Sequence, residues 1–352
     1  MKIKKTLYPT FLSVLLIFSA SGCTKKQNSE NKRAVNLAIW NNYLSPELQK
    51  KFTEKTGIEI KVSNYASNEE LLAKVQSGAS GIDVAVPSDY MVDIMAKTGL
   101  LAELKQELII NKTEIDPQWM NQSFDPENKF SMPYAWSTTG IAYNKELLKN
   151  PPKSWKDFYT QPEYAGKISM LDDVREVTAS ALKMNSKSVN SKEKRDLDQA
   201  KEALLKQKSR IKMFRSDIIE ALQNKEIAIA QAYSSDSLQA WANTKGQIDF
   251  IIPEEGGTKA IDNIVVLKGA KNLLEAHELI NFMLSPEVNI AFVQAVKGGP
   301  VLKSTRGKLP ENLKSSPILF PPPAQMKKLE RIEDLGEVTR LYDELWTKVK
   351  TE

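Results

Sequence analysis

Side chains that most often carry catalysis or bind transition metals are scarce in this sequence. Its 352 residues include one cysteine, Cys23, and one histidine, His277. His277-Glu278 opens like a zinc-protease motif, but Asn281 stands where the second histidine is required. A catalytic triad or a transition-metal site therefore has almost no ligands to draw on. We expect no metal and no cofactor, and we expect that the chain is not an enzyme.

Motifs that bind nucleotides or build a nucleophile are absent as well. The sequence has no G-x-S-x-G elbow, no Walker-type phosphate loop and no G-x-G-x-x-G dinucleotide turn. The neighbours of His277 place it on a predicted helix with a strongly apolar face, so we expect a structural role for it.

Long apolar runs are missing everywhere except near the N-terminus. A basic stretch at residues 1–5 precedes an apolar run at residues 11–18, and small residues follow. This order is the layout of an export signal. The run is shorter than the roughly 20 residues that a membrane-spanning helix needs. We therefore predict that residues 1–22 are a signal peptide.

Cys23 stands where cleavage of that signal is expected. As the sole cysteine it cannot form an internal disulfide. Ala20-Ser21-Gly22-Cys23 resembles the bacterial lipobox, in which the cysteine is acylated, although leucine is more usual at the first position. Lipidation at Cys23 implies a membrane anchor in the periplasm or on the outer face of the cell membrane, with residues 23–34 as a solvated tether. The alternative is an ordinary cleaved signal followed by a chance cysteine.

The net charge and the length of the mature chain limit its partner class and its domain number. Removal of the signal lowers the formal net charge from +5 to about +2, which argues against nucleic acid as a partner because nucleic-acid binding needs a clustered basic face. Roughly 330 mature residues exceed one ordinary domain core, so two lobes are expected.

The mature region alternates strand-like and helix-like segments, which is typical of an α/β architecture with largely parallel sheets. Residues 35–40 alternate as a strand does. Ser45-Pro46 predicts a helix N-cap followed by proline at the first helical position, and Gly57 ends that helix. Further predicted strands are 58–62, 82–86, 167–171 and 227–230, and further predicted helical stretches are 186–206 and 273–284.

Aromatic and acidic side chains recur where the predicted strands end. In parallel α/β sheets, ligands bind outside the carboxyl ends of the strands. Gly256-Gly257 also precedes an acidic residue near the expected crossover between lobes. The residues gathered in this way are Trp40, Asn41, Tyr43, Ser88, Tyr90, Asp173, Glu176, Tyr233, Asp236 and Asp262.

This combination suits a small polycation such as a polyamine. Aromatic faces cover methylenes and attract ammonium groups, at about 0.5–2 kcal/mol per contact. Carboxylates accept charge-assisted hydrogen bonds from the ammonium groups. Each piece also has a structural explanation, since Trp40 and Tyr43 could be core aromatics and Asp173 and Glu176 could stabilise a helix dipole. Their coincidence at several strand ends favours a ligand site.

At these residues the chain resembles the periplasmic spermidine/putrescine-binding proteins of polyamine ABC importers, a lipoprotein form of bacterial extracellular solute-binding protein. The resemblance runs from about residue 35 to the C-terminus and weakens after about residue 296. Its recognisable segments include Trp40-Asn41-Asn42-Tyr43 and the stretches 86–90, 132–136, 172–177 and 253–257.

The resemblance implies a two-lobed binding-protein fold of the second class, with a hinge and a ligand cleft between the lobes. It assigns residues 35–137 and 263–306 to lobe 1, and residues 138–262 and 307–352 to lobe 2. It implies a monomer that captures a polyamine by lobe closure and delivers it to the permease subunits of an ABC importer.

Site residues follow from the resemblance one by one. Trp40, Tyr43, Ser88 and Tyr90 match ligand contacts of the first lobe, and Asp173, Glu176 and Ser216 match contacts of the second. Tyr233 stands where a tryptophan is usual. Asp236 matches a carboxylate of the putrescine-preferring branch, and Asp262 matches the central carboxylate that holds an amine.

The chain departs from this pattern at the walls of the expected cleft. Ala260 and Gly299 stand where aromatic residues are usual, and a late glutamine contact has no clear equivalent near residues 332–334. The identity of the polyamine therefore stays open.

Two alternatives keep the same fold. One is a different cationic or zwitterionic solute, which an arginine directed into the cleft would favour, with Arg175 and Arg215 as the candidates. The other is a sensor or adhesion lipoprotein that binds its ligand without transport.

Overall fold

The computed structural model of the chain describes residues 33–41, 43–78 and 81–352. The predicted signal peptide at 1–22, Cys23 and nearly all of the predicted tether lie outside these residues. Arg33–Glu352 form one compact unit. Within it, the assignment of segments to lobe 1 and lobe 2 remains a prediction.

The described residues contain ten strands and fourteen α-helices. The strands are β1 (Ala34–Trp40), β2 (Glu59–Tyr65), β3 (Val84–Ala85), β4 (Ser131–Asn144), β5 (Ile168–Met170), β6 (Ile211–Phe214), β7 (Ile229–Tyr233), β8 (Ile248–Ile251), β9 (Thr258–Val266) and β10 (Gly299–Pro300). The helices are α1 (Pro46–Thr56), α2 (Asn68–Gln76), α3 (Asp89–Lys97), α4 (Trp155–Thr160), α5 (Val174–Met184), α6 (Lys194–Lys208), α7 (Ile219–Gln223), α8 (Ser234–Asn243), α9 (Leu273–Met283), α10 (Pro286–Val296), α11 (Thr305–Lys308), α12 (Glu311–Lys314), α13 (Pro323–Met326) and α14 (Thr339–Thr351).

The strands form one mixed sheet in the order β2-β1-β3-β9-β4-β7-β5-β6, with β8 and β10 also paired to β4. Strands β1, β2 and β3 pair in parallel, and so do β5, β6 and β7. Strands β4 and β9 join these two parallel groups and pair antiparallel with all their neighbours. The expectation of largely parallel sheets is therefore wrong for the middle of the molecule.

The start and end of the first helix are confirmed. The Ser45 hydroxyl accepts a hydrogen bond from the Leu48 N–H, Pro46 occupies the first helical position, and Gly57 adopts the left-handed conformation with φ of 70°. Glycine suits that conformation because it has no Cβ to clash with the backbone. Helix α6, by contrast, begins only at Lys194, so the charged stretch from residue 186 is helical in its second part alone.

Buried apolar side chains pack on both parallel groups of strands. One cluster, which includes Trp155, Tyr164 and Tyr342, packs among β5, α4, α5, α6 and α14. Other clusters, which include Phe52 and Phe292, pack on β1, β3 and their helices. These cores hold the two parallel groups so that their carboxyl edges bound a shared cavity.

One helix pair has a composition that resembles a membrane segment. Among the helices in the part of the chain that the structure describes, none combines by itself the length and the apolar composition of a membrane span. Leu273–Met283 and Pro286–Val296, which meet at a 68° bend, would reach that length and composition together.

Candidate ligand-binding cleft

A cavity of about 320 Å³ lies at the carboxyl edges of the strands. All eleven residues predicted to bind the ligand line it, including Asn41 and Ser216. The structure therefore brings together every predicted site residue, while their role in binding remains a prediction. Ala260, expected at the wall of the cleft, lines the cavity as well. Residues that line the cavity but were not predicted are Tyr65, Ala66, Asn68, Asp89, Ser137, Asp217, Ile219, Ser235, Gln239, Val296 and Ile332.

Helix N-termini surround this cavity, and each carries an acidic side chain in its first turn or at its cap. Asp89 opens α3, Asp173 caps α5, and Asp236 lies in the first turn of α8. A bare helix N-terminus carries partial positive charge and attracts anions. The carboxylates reverse that preference, so the same framework presents negative charge to a ligand.

Asp262 is held by two hydroxyl groups. Tyr43 donates to its Oδ2 over 2.9 Å, and Ser88 donates to its Oδ1 over 2.8 Å. Strand β9 brings Asp262 opposite Ser88 in an isolated antiparallel bridge. Both oxygens are thereby oriented by neutral donors and retain lone pairs for further N–H groups.

Asp173 and Glu176 form a second acidic group at the start of α5. Asp173 Oδ1 accepts hydrogen bonds from the Arg175 and Glu176 N–H groups. Glu176 is buried and accepts from the Thr258 hydroxyl, at 2.9 and 2.8 Å from its two oxygens. The Glu176 side chain thus contacts β9 rather than the backbone of its own helix.

Burial raises the pKa values of the acids in the cleft. Burial raises the pKa of Asp262 to about 6, and raises those of Asp89 and Asp236 to about 7. The pKa values of Asp173 and Glu176 are also raised, first by burial and then by neighbouring carboxylates. No lysine, arginine or histidine is among the described residues that line this cavity. The site therefore gathers buried carboxyl groups with no cationic side chain in the cavity wall, and their ionised forms are costly in a low-dielectric interior.

Aromatic rings cover the remaining wall. The Trp40 indole N–H donates to the Val86 carbonyl over 2.8 Å, and its ring packs on Tyr65 with centroids 4.7 Å apart. Burial raises the pKa values of Tyr43, Tyr90 and Tyr233 far above their ordinary value, so these hydroxyl groups stay protonated donors. Rings of this kind can cover methylene groups and attract cations.

The positions at which the sequence departs from the family pattern differ in whether they line the cavity. Ala260 lines the cavity and leaves its wall without a ring there. Gly299 does not line it, because the Trp136 indole packs against Gly299 and would lie 2.3–2.5 Å from an added Cβ. Ile332 brings an apolar side chain from the late segment to the wall.

Neither arginine that could favour a zwitterionic ligand reaches the cavity wall. Arg175 is buried elsewhere, where it donates to the Glu333 carbonyl and the Asn190 side chain and stacks over Tyr342. Arg215 lies near Asp217, with an N–O distance of 3.5 Å.

The expected structural role of His277 is confirmed. Its ring is buried, with Nε2 accepting from the Lys105 N–H over 3.0 Å and Nδ1 lying 2.7 Å from the Leu273 carbonyl. Among the described residues, no group of three or more His, Cys, Asp or Glu side chains is arranged to hold a metal ion.

Comparison with known proteins matches residues 47–321 to the family model described as bacterial extracellular solute-binding protein. The spermidine/putrescine-binding periplasmic protein 1 of Haemophilus influenzae is 31% identical over 332 residues, which cover 93% of this chain and 91% of that protein. The putrescine/cadaverine-binding protein of Pseudomonas aeruginosa is 30% identical over 324 residues, which cover 88% of this chain and 92% of that protein. The solved spermidine/putrescine ABC transporter substrate-binding protein of Streptococcus pneumoniae is 32% identical, with a TM-score of 0.78 over 90% of this chain and 98% of that one.

Proposed function

The chain belongs to the bacterial extracellular solute-binding proteins and shares their two-lobed α/β fold, and we propose that it captures a polyamine of the putrescine and spermidine class. The observation that carries this proposal is the set of buried carboxylates around one cavity whose described wall has no cationic side chain. Such charges require a cation, and ammonium groups supply several N–H donors each. The names of the relatives support the same ligand class.

Capture would proceed by closure of the lobes on the ligand. Asp262 with Tyr43 and Ser88 forms one wall, and Asp173 with Glu176 at the start of α5 forms another. A dication placed between these walls attracts both, so it binds the closed form better than the open form. Only such a difference in affinity can shift the protein toward closure.

Delivery to the permease subunits of an ABC importer and lipid anchoring through Cys23 complete the proposal. The family supports an extracytoplasmic location, and the lipobox-like segment supports the anchor. Replacement of Cys23 by serine is expected to move the protein from the membrane fraction to the soluble fraction and to abolish labelling by a fatty-acid precursor. Retention of the label in this variant would refute anchoring at Cys23.

A thermal-shift panel tests the ligand class. The form that begins at residue 24 contains the whole compact unit and suits the measurement. Putrescine and spermidine are expected to raise Tm, whereas γ-aminobutyrate and glutamate leave it unchanged. A shift with the zwitterions alone would overturn the proposal and favour the alternative of a zwitterionic solute.

Transport is distinguished from sensing by uptake. Deletion of the gene is expected to lower uptake of labelled polyamine in the native cell, and the full-length chain should restore it. Unchanged uptake in the deletion strain would favour a sensor or adhesion lipoprotein instead.

A further inference from the structure

A second cavity of about 210 Å³ adjoins the ligand cleft. The two cavities share Asp89, Tyr90 and Ile332 in their walls. The rest of the wall of this second cavity, here called the side cavity, comes from Asp93 of α3, from Ser123 and Phe124, and from the late segment 331–334. The side cavity therefore shares part of its wall with the ligand cleft.

Asp89 stands at the junction with one oxygen unsatisfied. The residue is 2% exposed, and its Oδ1 accepts a hydrogen bond from the Tyr90 N–H over 2.9 Å. Its Oδ2 makes no hydrogen bond of normal geometry among the residues that the structure describes, although the Ile261 amide still favours the charged form of this carboxyl. An unpaired buried carboxylate oxygen is rare because burial without a partner is unfavourable, so it calls for an explanation.

Most other charged groups near the side cavity are engaged with protein groups, and the remaining acid of its wall, Glu333, is exposed to solvent. Lys97 donates to Asp93 over 2.7 Å and to Asp334 over 3.1 Å. Arg331 donates to the Gln122 and Ser123 side chains, at 3.1 and 2.9 Å, and lies over the ring of Phe124. Asp89 is thus the buried acid at this junction that remains available.

The influences on the pKa of Asp89 favour a cation at the junction of the two cavities. Burial raises the pKa of Asp89 to about 7, although the Arg331 charge and the Tyr90 and Ile261 amides act in the opposite direction. A neighbouring ammonium would relieve the burial penalty that causes this rise. The side cavity, at about 210 Å³, is large enough for the four heavy atoms of an aminopropyl arm. Each heavy atom of such an arm needs about as much space as one water molecule in the liquid, about 30 Å³.

We propose that the side cavity continues the ligand cleft and that Asp89 accepts an additional ammonium there, so that the site takes a polyamine with at least three ammonium groups. This inference rests on the proposed function. The ligand chain passes between Tyr90 and Ile332, whose ring and methyl groups cover its methylenes. One end of the polyamine stays between the Asp262 wall and the start of α5. The aminopropyl arm that carries the additional ammonium reaches Asp89.

Calorimetry with a diamine and a triamine tests the inference. Putrescine and spermidine are titrated at pH 7.5 into the form that begins at residue 24 and into its Asp89→Asn variant. We expect the variant to weaken spermidine at least tenfold while changing putrescine less than threefold. The matched control is Asp93→Asn, which removes an acid of the same helix and the same side cavity that is paired with Lys97, and it should leave the ratio of the two affinities unchanged.

The outcomes separate the inference from its premise. Equal weakening of both ligands, or no weakening of either, would overturn the role of Asp89 while leaving polyamine capture intact. Absence of binding by either ligand to the unaltered chain would refute the proposed function itself. Should Asp89→Asn fail to fold, Asp89→Ser retains a polar side chain at the helix start and is tested by the same ratio.

Discussion

The hydroxyl of Tyr43 donates a hydrogen bond to Oδ2 of Asp262 over 2.9 Å, joining residues 219 positions apart in the chain. Burial alone would favour the protonated form of this carboxyl, and it does raise the pKa of Asp262 to about 6. The Tyr43 and Ser88 hydroxyl groups act in the opposite direction. At neutral pH the carboxylate is therefore charged, oriented and ready to accept N–H groups of a cation.

Asp262→Asn should weaken polyamine binding strongly. The substitution keeps the shape of the side chain but removes the charge that partners the ammonium. Loss of one buried charge partner costs on the order of 2–5 kcal/mol, so the Kd should rise at least about thirtyfold. Calorimetric titration at pH 7.5 gives this value directly.

Tyr90→Phe is the control for that substitution. The Tyr90 hydroxyl donates to Glu69 over 2.9 Å, and loss of one neutral donor costs only about 0.5–1.5 kcal/mol. The Kd should therefore rise about tenfold at most. A larger effect for Tyr90→Phe than for Asp262→Asn would mean that the ammonium site has been assigned to the wrong wall.

The ligand-free protein should lose stability as pH rises from 5 to 8.5. A carboxyl group whose pKa is raised on folding contributes stability that is full below its ordinary pKa and is lost as pH rises through the folded value. For Asp262, Asp89 and Asp236 those folded values are about 6 and about 7. Acids with lowered pKa values, such as Asp83, lose their contribution only when pH falls below about 4, outside this window.

Thermal denaturation at the two pH values measures this loss. Tm should be lower at pH 8.5 by at least about 3 °C, which corresponds to about 2 kcal/mol for a compact unit of this length. Spermidine should raise Tm more at pH 8.5 than at pH 5, because the cation restores the stability that ionisation removed. An equal ligand-induced shift at both values would contradict the assignment of these acids to the ligand site.

Spermidine binding should release protons near neutral pH. At pH 7, Asp89 and Asp236, each with a pKa of about 7, hold about one proton between them. An ammonium placed beside them favours the ionised form and expels that proton. Calorimetric titrations in phosphate and in Tris should therefore give different observed enthalpies. Identical enthalpies in the two buffers would show that the cation does not meet these acids.

Gly299→Ala should destabilise the protein without changing its preference among polyamines. An added Cβ would lie 2.3 Å from the Trp136 ring, and overpacking of this kind costs about 1–3 kcal/mol. Gly307→Ala is the control, since nothing lies within 4 Å of a Cβ at that helical position. Denaturant titration should show a lower midpoint for the first variant only. A change in the affinity ratio of putrescine to spermidine would place Gly299 at the ligand after all.

The site was predictable because the ends of parallel strands converge. Tyr43 and Asp173 lie far apart in the chain, yet each follows a strand that ends at the same edge of its parallel group. Two unpredicted residues had weaker signals. Tyr65 closes β2, whose predicted end at residue 62 was three residues short. Asp89 lies between two predicted residues, where an acid at a helix start has an ordinary structural explanation.

The middle of the fold was not predictable from periodicity. Strand β4 is buried along nearly its whole length, so its sequence lacks the alternation that identifies a strand with one exposed face. It also contains Pro133, which argues against a central strand. The pairing of β4 with β9 therefore had no local signal, although it joins the two parallel groups of strands.

Calorimetry of the unaltered chain with putrescine and spermidine tests the central claim most directly. The form that begins at residue 24 is titrated with each amine at pH 7.5. We expect saturable binding of one ligand per chain with a Kd of micromolar or lower, equivalent to about −8 kcal/mol or stronger. Titrations that show no heat with either amine, together with no change in Tm, would contradict polyamine capture by this protein.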